Sequence, residues 1–241
     1  MSNNMRIRSK FRERQEEVLL YQGVEMDKKE TERKENLLQM ERSLHAKGYL
    51  LVAGVDEAGR GPLAGPVMAG VCILPQAFNL PGLDDSKKLT EKKREYLSGL
   101  IMEQAVAFSL GSAGPGEIDR LNILNASKLA MKRALEDLHV PPDFVLVDGR
   151  DKLDIPVVQK AIIGGDGLCA CIAAASILAK VARDKLMCEM HNFFPAYNFD
   201  QHKGYGTRLH FEAIEKFGPC PIHRRSFSPI KEMISAGKEL A

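Results

Sequence analysis

Apolar residues along this chain follow two different periods, and the change comes at residue 49. Before it, residues 11–46 (FRERQEEVLLYQG, then MDKKETERKENLLQMERSLHAKG) are dense in Lys, Arg and Glu. The sparse apolar positions Leu37, Met40 and Leu44 fall at i, i+3 and i+7 on one helical stripe. That pattern predicts a helical appendage that packs on the domain through a narrow face. From Tyr49 the stripe gives way to short runs of Val, Leu and Ile. YLLVAGVDE and PVMAGVCIL read as paired strands, and the connection 57–65 suits an antiparallel hairpin with a bulge.

Strands and helices then alternate. LPGLDDSKKLTEKKREYLSGLIMEQA opens with turn residues, offers Thr90 as a helix N-cap and places Leu97, Leu100 and Ile101 at helical spacing. AVAFSLGS (105–112) reads as a third strand, and GPGEIDRLNILNASKLAMKRALEDL as one helix with Leu121, Leu124, Leu129 and Leu135 among its buried candidates. After Pro141 and Pro142, FVLVDGR is a buried strand that ends on Asp148 and Gly149, where α/β folds present ligand groups. IPVVQKAII (155–163) reads as an edge strand because of Pro156, and GGDG (164–167) as a turn. LCACIAAASILAKVARDKLMCEMHNFF is a long Ala-rich helix on which Asp184 lies i+7 from Ile177 and i+3 from Val181, hence on the apolar, inward face. A helix from Thr207 to Phe217 is stopped by Gly218 and Pro219, and 231–241 trail off as a frayed tail. The organisation expected is an α/β catalytic domain over 48–228, a charged helical extension over 1–47 and a tail over 229–241.

Composition narrows the setting. A chain of 241 residues with 44% hydrophobic and 27% charged residues has the make-up of one full-sized soluble domain. No apolar run approaches the roughly 18 residues of a membrane span, and the basic first residues lead into no apolar segment of a secretory leader. The five cysteines show no zinc-type pairing and read as small reduced core residues, which implies a cytoplasmic setting. With a net charge of +2, polyanion binding has to come from a local patch. No coiled-coil heptad is present, so a monomer is expected.

Candidate chemistry gathers in VAGVDEAGRGPLAGPV, where Asp56 and Glu57 are followed at once by Gly59-Arg60-Gly61. Asp148 at a strand end and Asp184 on an inward helix face are the other acids marked by position. Close carboxylates repel by about 4 kcal/mol per pair even at an effective dielectric near 20, so such a set calls for cations. Ligands that are all oxygen select Mg²⁺ or Mn²⁺, and two such ions suit in-line hydrolysis of a phosphodiester. Adjacent strand residues point to opposite faces, so Asp56 and Glu57 can share a site only if the strand bulges or ends between them.

DEAGRGPLAGPV, DSKKLT, VLVDG, IAAASILAKVARD and HKGYGT, in this order, resemble bacterial ribonuclease HII and span nearly all of residues 50–228. The resemblance implies an RNase H-like mixed β-sheet flanked by helices, with a helical C-terminal part that completes a nucleic-acid groove. It implies Asp56, Glu57, Asp148 and Asp184 as catalytic, binding two divalent metals. It also assigns Gly59, Arg60 and Gly61 to reading a ribonucleotide 2′-OH, with Tyr205 packed against the sugar on its 3′ side. Lys87, Lys180, Lys203, Arg224 and Arg225 are phosphate-contact candidates. The implied activity is cleavage of the RNA strand of RNA/DNA hybrids and nicking 5′ to single ribonucleotides in duplex DNA, leaving 3′-OH and 5′-phosphate ends. A replication or repair partner would use the N-terminal extension. The chain departs from the family pattern at Gly164, where a lysine is expected, and at Ala182, where a threonine is expected. The competing readings are ribonuclease HIII and a non-catalytic hybrid-binding protein; the GRG motif and the intact acids weigh against them.

Overall fold

A computed structural model describes residues 28–235. The part of the expected 11–46 helical stretch before residue 28 and the end of the tail, 236–241, lie outside the described residues. The chain begins with helix α1 (Lys28–His45) and the hairpin β1 (Val52–Ala58) and β2 (Val67–Ile73). Next come α2 (Glu91–Gln104), β3 (Ala107–Ala113), α3 (Pro115–Leu121) and α4 (Ile123–Glu136), then β4 (Phe144–Asp148), β5 (Gln159–Ile162) and the long α5 (Ala170–Phe193). Short helices α6 (Phe199–His202), α7 (Arg208–Phe217) and α8 (Ile230–Ser235) complete it.

The strands form one mixed sheet in the order β3-β2-β1-β4-β5. β1, β2 and β3 pair antiparallel, and β4 and β5 continue the sheet parallel to β1. Alternation sorts each strand between two cores. Val55, Val67, Ala69, Val71 and Ile73 pack with Ile118, Ala126, Ala130 and Ala134 of α3 and α4. Cys72 turns to the other side, among Leu97 and Ile101 of α2 and Ala173, Ala174 and Ile177 of α5. On that second face α5 comes unusually close. A Cβ on Gly54 would stand 2.2 Å from the Cys171 carbonyl carbon, and one on Gly70 2.3 Å from the Ala175 oxygen. Glycines in the strands and alanines in the helix let polar groups on α5 reach the strand ends directly.

Several expectations change. Residues 114–138 form two helices, because Asn122 takes φ 66 and caps the second by accepting from the Asn125 N–H at 3.1 Å. Leu124 is consequently 42% exposed, and the buried positions of α4 are the small residues Ala126, Ala130 and Ala134 with Met131. The β1–β2 hairpin carries no bulge at its acids, since Asp56 pairs with Gly70 and Glu57 with Ala69 in unbroken register. The tail does not fray from 231, because α8 buries Ile230 in a cluster with Phe199 and Ile214. Thr90 caps α2 by accepting from the Lys93 N–H, and β5 lies at the sheet edge beside β4, shortened to four residues.

α1 docks through Leu37 and Leu44, both buried. A third member of the stripe is the carboxylate Glu41, whose Oε1 accepts from the Cys171 N–H at 2.9 Å. Cys171 lies in the first turn of α5, and the N-cap residue Cys169 supplies no side-chain bond there. Glu41 therefore caps α5 from another helix, satisfying one of the donors that a helix start leaves open. Burial pushes its carboxyl upward, against the pull of that N–H.

Candidate active site

β1 and β4 run parallel with Val55 level with Val147. One residue on, each strand reaches an acid, so Asp56 and Asp148 emerge side by side on the face covered by α5. Asp56 is 3% exposed. The Ser176 hydroxyl of α5 bonds to it, and Ser86, from the loop before α2, lies 2.9 Å from Ser176. Burial pushes the Asp56 carboxyl well above the usual carboxylate range, and the charges of Glu57 and Asp148 push it further. Asp148 is raised as well, first by burial; the Gly165 N–H at 2.6 Å opposes this and the charge of Asp166 adds to it.

Glu57 is the next residue and its backbone turns to the other side, but β1 has already run past its pairing with β4, so this is the open strand end that lets both acids serve one site, and the Glu57 charge acts on Asp56. Glu57 Oε1 accepts from Arg60 Nη1 at 3.2 Å. Burial raises its pKa, Arg60 lowers it, and the charge of Asp148 still reaches it. The fourth carboxylate in this neighbourhood is Asp166, in the GGDG segment. That segment folds as a 3-10 turn over Gly165–Gly167 and leaves Asp166 5% exposed, with Lys87 Nζ 3.0 Å from its Oδ2.

Asp184 is placed elsewhere. It is buried on α5 as its spacing predicts, but Lys180 Nζ lies 2.8 Å from Oδ1 and Arg94 Nη2 3.7 Å from Oδ2. Arg94 also donates to the carbonyls of Ser86 and Leu89, tying Asp184 to the loop that carries Lys87. The sequence reading missed Asp166 because a buried acid in a four-residue turn leaves no periodic signal. Its only mark is that it follows the Asp148 strand and precedes α5.

Among the described residues no three acid, histidine or cysteine side chains stand close enough together to hold a metal ion without adjustment. The chemistry of the donor set nevertheless fits a divalent cation. Asp56 is buried and Asp148 half-buried; both are oxygen donors raised in proton affinity by burial and by neighbouring negative charge, which is the condition that a hard cation relieves.

Beside the acids lies the connection 59–66. Gly59 is buried, while Arg60 and Gly61 are exposed. The connection is pinned to the C-terminal part by Leu63 N–H to Gly204 O (2.8 Å), Gly65 N–H to Ile222 O (2.9 Å) and Arg224 N–H to Leu63 O (2.8 Å). Tyr205 is 40% exposed and faces Gly61, whose position for a Cβ is 3.9 Å from its ring. Lys180 Nζ and Arg183 lie 5.5 and 5.8 Å from the ring centroid.

Behind Tyr205 a histidine chain holds its backbone. His223 Nδ1 accepts from the Cys220 N–H at 2.9 Å, which assigns the proton to His223 Nε2. That nitrogen is 3.0 Å from His210 Nε2, and His210 Nδ1–H donates to the Tyr205 carbonyl at 2.9 Å. Burial pushes His210 down to about 3 and His223 down to about 4, so both rings are neutral.

Of the phosphate-contact candidates, Lys87 and Arg225 are exposed and Lys180 is tied to Asp184. Lys203 Nζ is turned to the Asp200 carbonyl. Arg224 is fully buried and cannot meet a phosphate; a basic HRR cluster reads as surface until the connection 59–66 closes over it. Gly164 takes φ +67, a conformation in which a lysine side chain would be strained.

The family profile described as Ribonuclease HII matches residues 53–230. The chain is 57% identical over 217 residues to the Ribonuclease HII of Desulfitobacterium hafniense strain DSM 10664 / DCB-2, covering 90% of this chain and 84% of that protein. It is 51% identical over 204 residues to that of Endomicrobium trichonymphae, covering 84% of this chain and 97% of the relative. Among solved structures, the ribonuclease H2 from Pyrococcus horikoshii OT3 superposes with a TM-score of 0.63 at 28% identity, over 77% of this chain and 97% of the other.

Proposed function

Because the chain belongs to the ribonuclease HII family, type 2 ribonuclease H hydrolases acting on RNA/DNA hybrids, we propose that it also nicks duplex DNA 5′ to a single embedded ribonucleotide. The observation that carries the site is the level pairing of Asp56 and Asp148 at the ends of β1 and β4, with Glu57 and Asp166 beside them. These four would hold Mg²⁺ or Mn²⁺, two ions in the fullest form of the reading. When bound, such ions supply activation of water and charge neutralisation at the scissile phosphate. A Mn²⁺ complex of Bst-RNase HIII, a neighbour in fold, is in keeping with this choice. Asp184 does a different job: it fixes Lys180 beside Tyr205.

The chain's own groups do the rest. Ser176 orients Asp56, and the Gly165 N–H orients Asp148, keeping one oxygen of each turned toward its neighbour. Lys87 presents an exposed ammonium at the rim for a phosphate of the strand. Arg60 and Gly61 face Tyr205 across a gap open to solvent, where backbone amides can approach a 2′-OH and the aromatic ring can pack on the adjacent sugar. The protein acts as a monomer in the cytoplasm. A replication partner is part of the proposal, as the Archaeoglobus fulgidus RNase HII forms a complex with PCNA; here it would use the N-terminal extension.

The test is a labelled duplex with one ribonucleotide, incubated with Mg²⁺ or Mn²⁺. A single nick on the 5′ side of the ribonucleotide is expected, with 3′-OH and 5′-phosphate ends. Cleavage of an all-RNA/DNA hybrid without any nick in the one-ribonucleotide duplex would refute the finer specificity and leave the family activity standing.

A further inference from the structure

Two arginines, Arg183 and Arg224, are fully buried beneath the connection 59–66, and their hydrogen bonds go to main-chain carbonyls. Arg183 donates to Pro66 O (3.1 Å), Lys203 O (3.0 Å) and Ala64 O (3.1 Å). Arg224 donates through Nε to Gly65 O (3.0 Å), through Nη1 to Arg60 O (2.8 Å) and through Nη2 to Gly59 O (2.5 Å). The same two carbonyls, of Gly59 and Arg60, belong to the peptides whose N–H groups are those of Arg60 and Gly61.

A planar trans peptide points its C=O and its N–H in opposite directions, and the cis bond among the described residues lies elsewhere, at Ser228-Pro229. A guanidinium that grips both carbonyls from inside therefore turns both N–H groups outward, toward the exposed side where Tyr205 stands. Arg183 backs the arrangement from below. Gly59 has φ +95, and a Cβ there would lie 2.0 Å from Arg183 Nε, so the backbone rests directly on that side chain. We propose that Arg224 is a positioning residue for ribonucleotide recognition: it never touches the substrate, and it aims the amides of Arg60 and Gly61 at the 2′-OH.

This proposal rests on the reading of Gly59-Arg60-Gly61 as the 2′-OH sensor. Only an arginine fits the role on the geometry seen, because its rigid planar fork spans three carbonyls at once, whereas a lysine ammonium is a point donor. The burial of an unneutralised charge is the cost of that grip. It pushes Arg224 down to about 9, with the charge of Arg183 adding to the effect of burial.

The experiment uses the full chain with Asp148→Asn to stop cleavage, and compares binding of a one-ribonucleotide duplex with binding of the same sequence as all-DNA. Adding Arg224→Lys is expected to weaken binding of the ribonucleotide duplex by about tenfold, the worth of one well-aimed amide–hydroxyl hydrogen bond, and to leave all-DNA affinity unchanged. Equal weakening of both duplexes, or of neither, would overturn the positioning role. If the Asp148→Asn parent itself shows no preference for the ribonucleotide duplex, the sensor reading fails and this proposal falls with it. A second measurement needs no change at Arg224: amide hydrogen exchange at Arg60 and Gly61 in the Asp148→Asn chain. Protection by the ribonucleotide duplex beyond that given by all-DNA supports the proposal, and equal exchange in the two complexes sinks it.

Discussion

Asp56 lies buried at the end of β1 with Asp148 half-buried beside it at the end of β4; Arg183 and Arg224 lie buried beneath the connection 59–66. Both pairs place like charges together with reduced access to water, and both have their titration displaced toward the neutral form by burial. They differ in what answers the charge. The arginines are met by six backbone carbonyls and need nothing from outside. The acids are met by one serine hydroxyl and two N–H groups, and the charges that weigh most on them are those of other acids, opposed at Asp148 by Lys87. The first region is complete as folded and sets shape; the second is completed only by a cation and does chemistry.

Substituting one member of each pair should separate the two. Asp148→Asn is expected to lower cleavage by at least about a hundredfold, beyond the 10–100-fold that losing an outer partner of a metal site costs. It should at the same time raise the thermal midpoint, since a repelled charge is removed. A variant that cuts at the wild-type rate would take Asp148 out of the site. Arg183→Met should do the reverse to stability. It leaves carbonyls of Ala64, Pro66 and Lys203 without donors, at a cost of about 3 kcal/mol in total, and urea denaturation would read it. An unchanged midpoint would mean that the carbonyls find water and that the region is not a finished one.

A smaller effect distinguishes the acids themselves. Asp166→Asn is expected to reduce cleavage by about tenfold or more, and Asp184→Asn by only a few-fold, on the scale of a lost orienting contact. Metal titration by calorimetry would check the assignment, with weaker binding expected for the first variant alone. The reverse ranking would restore Asp184 to the metal site.

The smallest effect is one of pH. His210 and His223 stay neutral in the folded chain down to about 3 and about 4, whereas an ordinary imidazole titrates near 6.5. Below that value protons bind preferentially to the unfolded chain. The stability present above pH 6.5 is therefore lost as pH falls toward the folded values. The thermal midpoint should drop by several degrees from about pH 7 to about pH 5, and His223→Gln should flatten that slope. Parallel slopes for the two proteins would count against the neutral histidine chain behind Tyr205.

These contrasts also mark what the sequence made legible. Period-two runs, glycine turns and caps located the strands and the large helices, and strand ends pointed to Asp56 and Asp148, because those signals are local. Asp184 was placed correctly on an inward face, but inward beyond Val181 means toward Arg94 and Lys180, and helical spacing alone carries no information about which neighbour a face meets. Asp166 escapes the sequence and Arg224 reads there as a phosphate contact for the complementary reason. Their surroundings are built by segments distant in the chain, the loop that carries Lys87 meeting the first and the connection 59–66 closing over the second. The break at Asn122 was hidden by good helical periodicity on either side of it.

Glu41 gives the molecule two different beginnings. The family profile starts at residue 53, whereas the hydrogen bond that closes the start of α5 is made by Glu41, upstream of it. A boundary drawn by the profile and one drawn by cooperativity thus disagree. A chain started at Tyr49 would keep every motif yet leave the Cys171 amide bare at the root of the helix that carries Ser176, so inheritance of the catalytic parts need not mean inheritance of a self-sufficient folding unit.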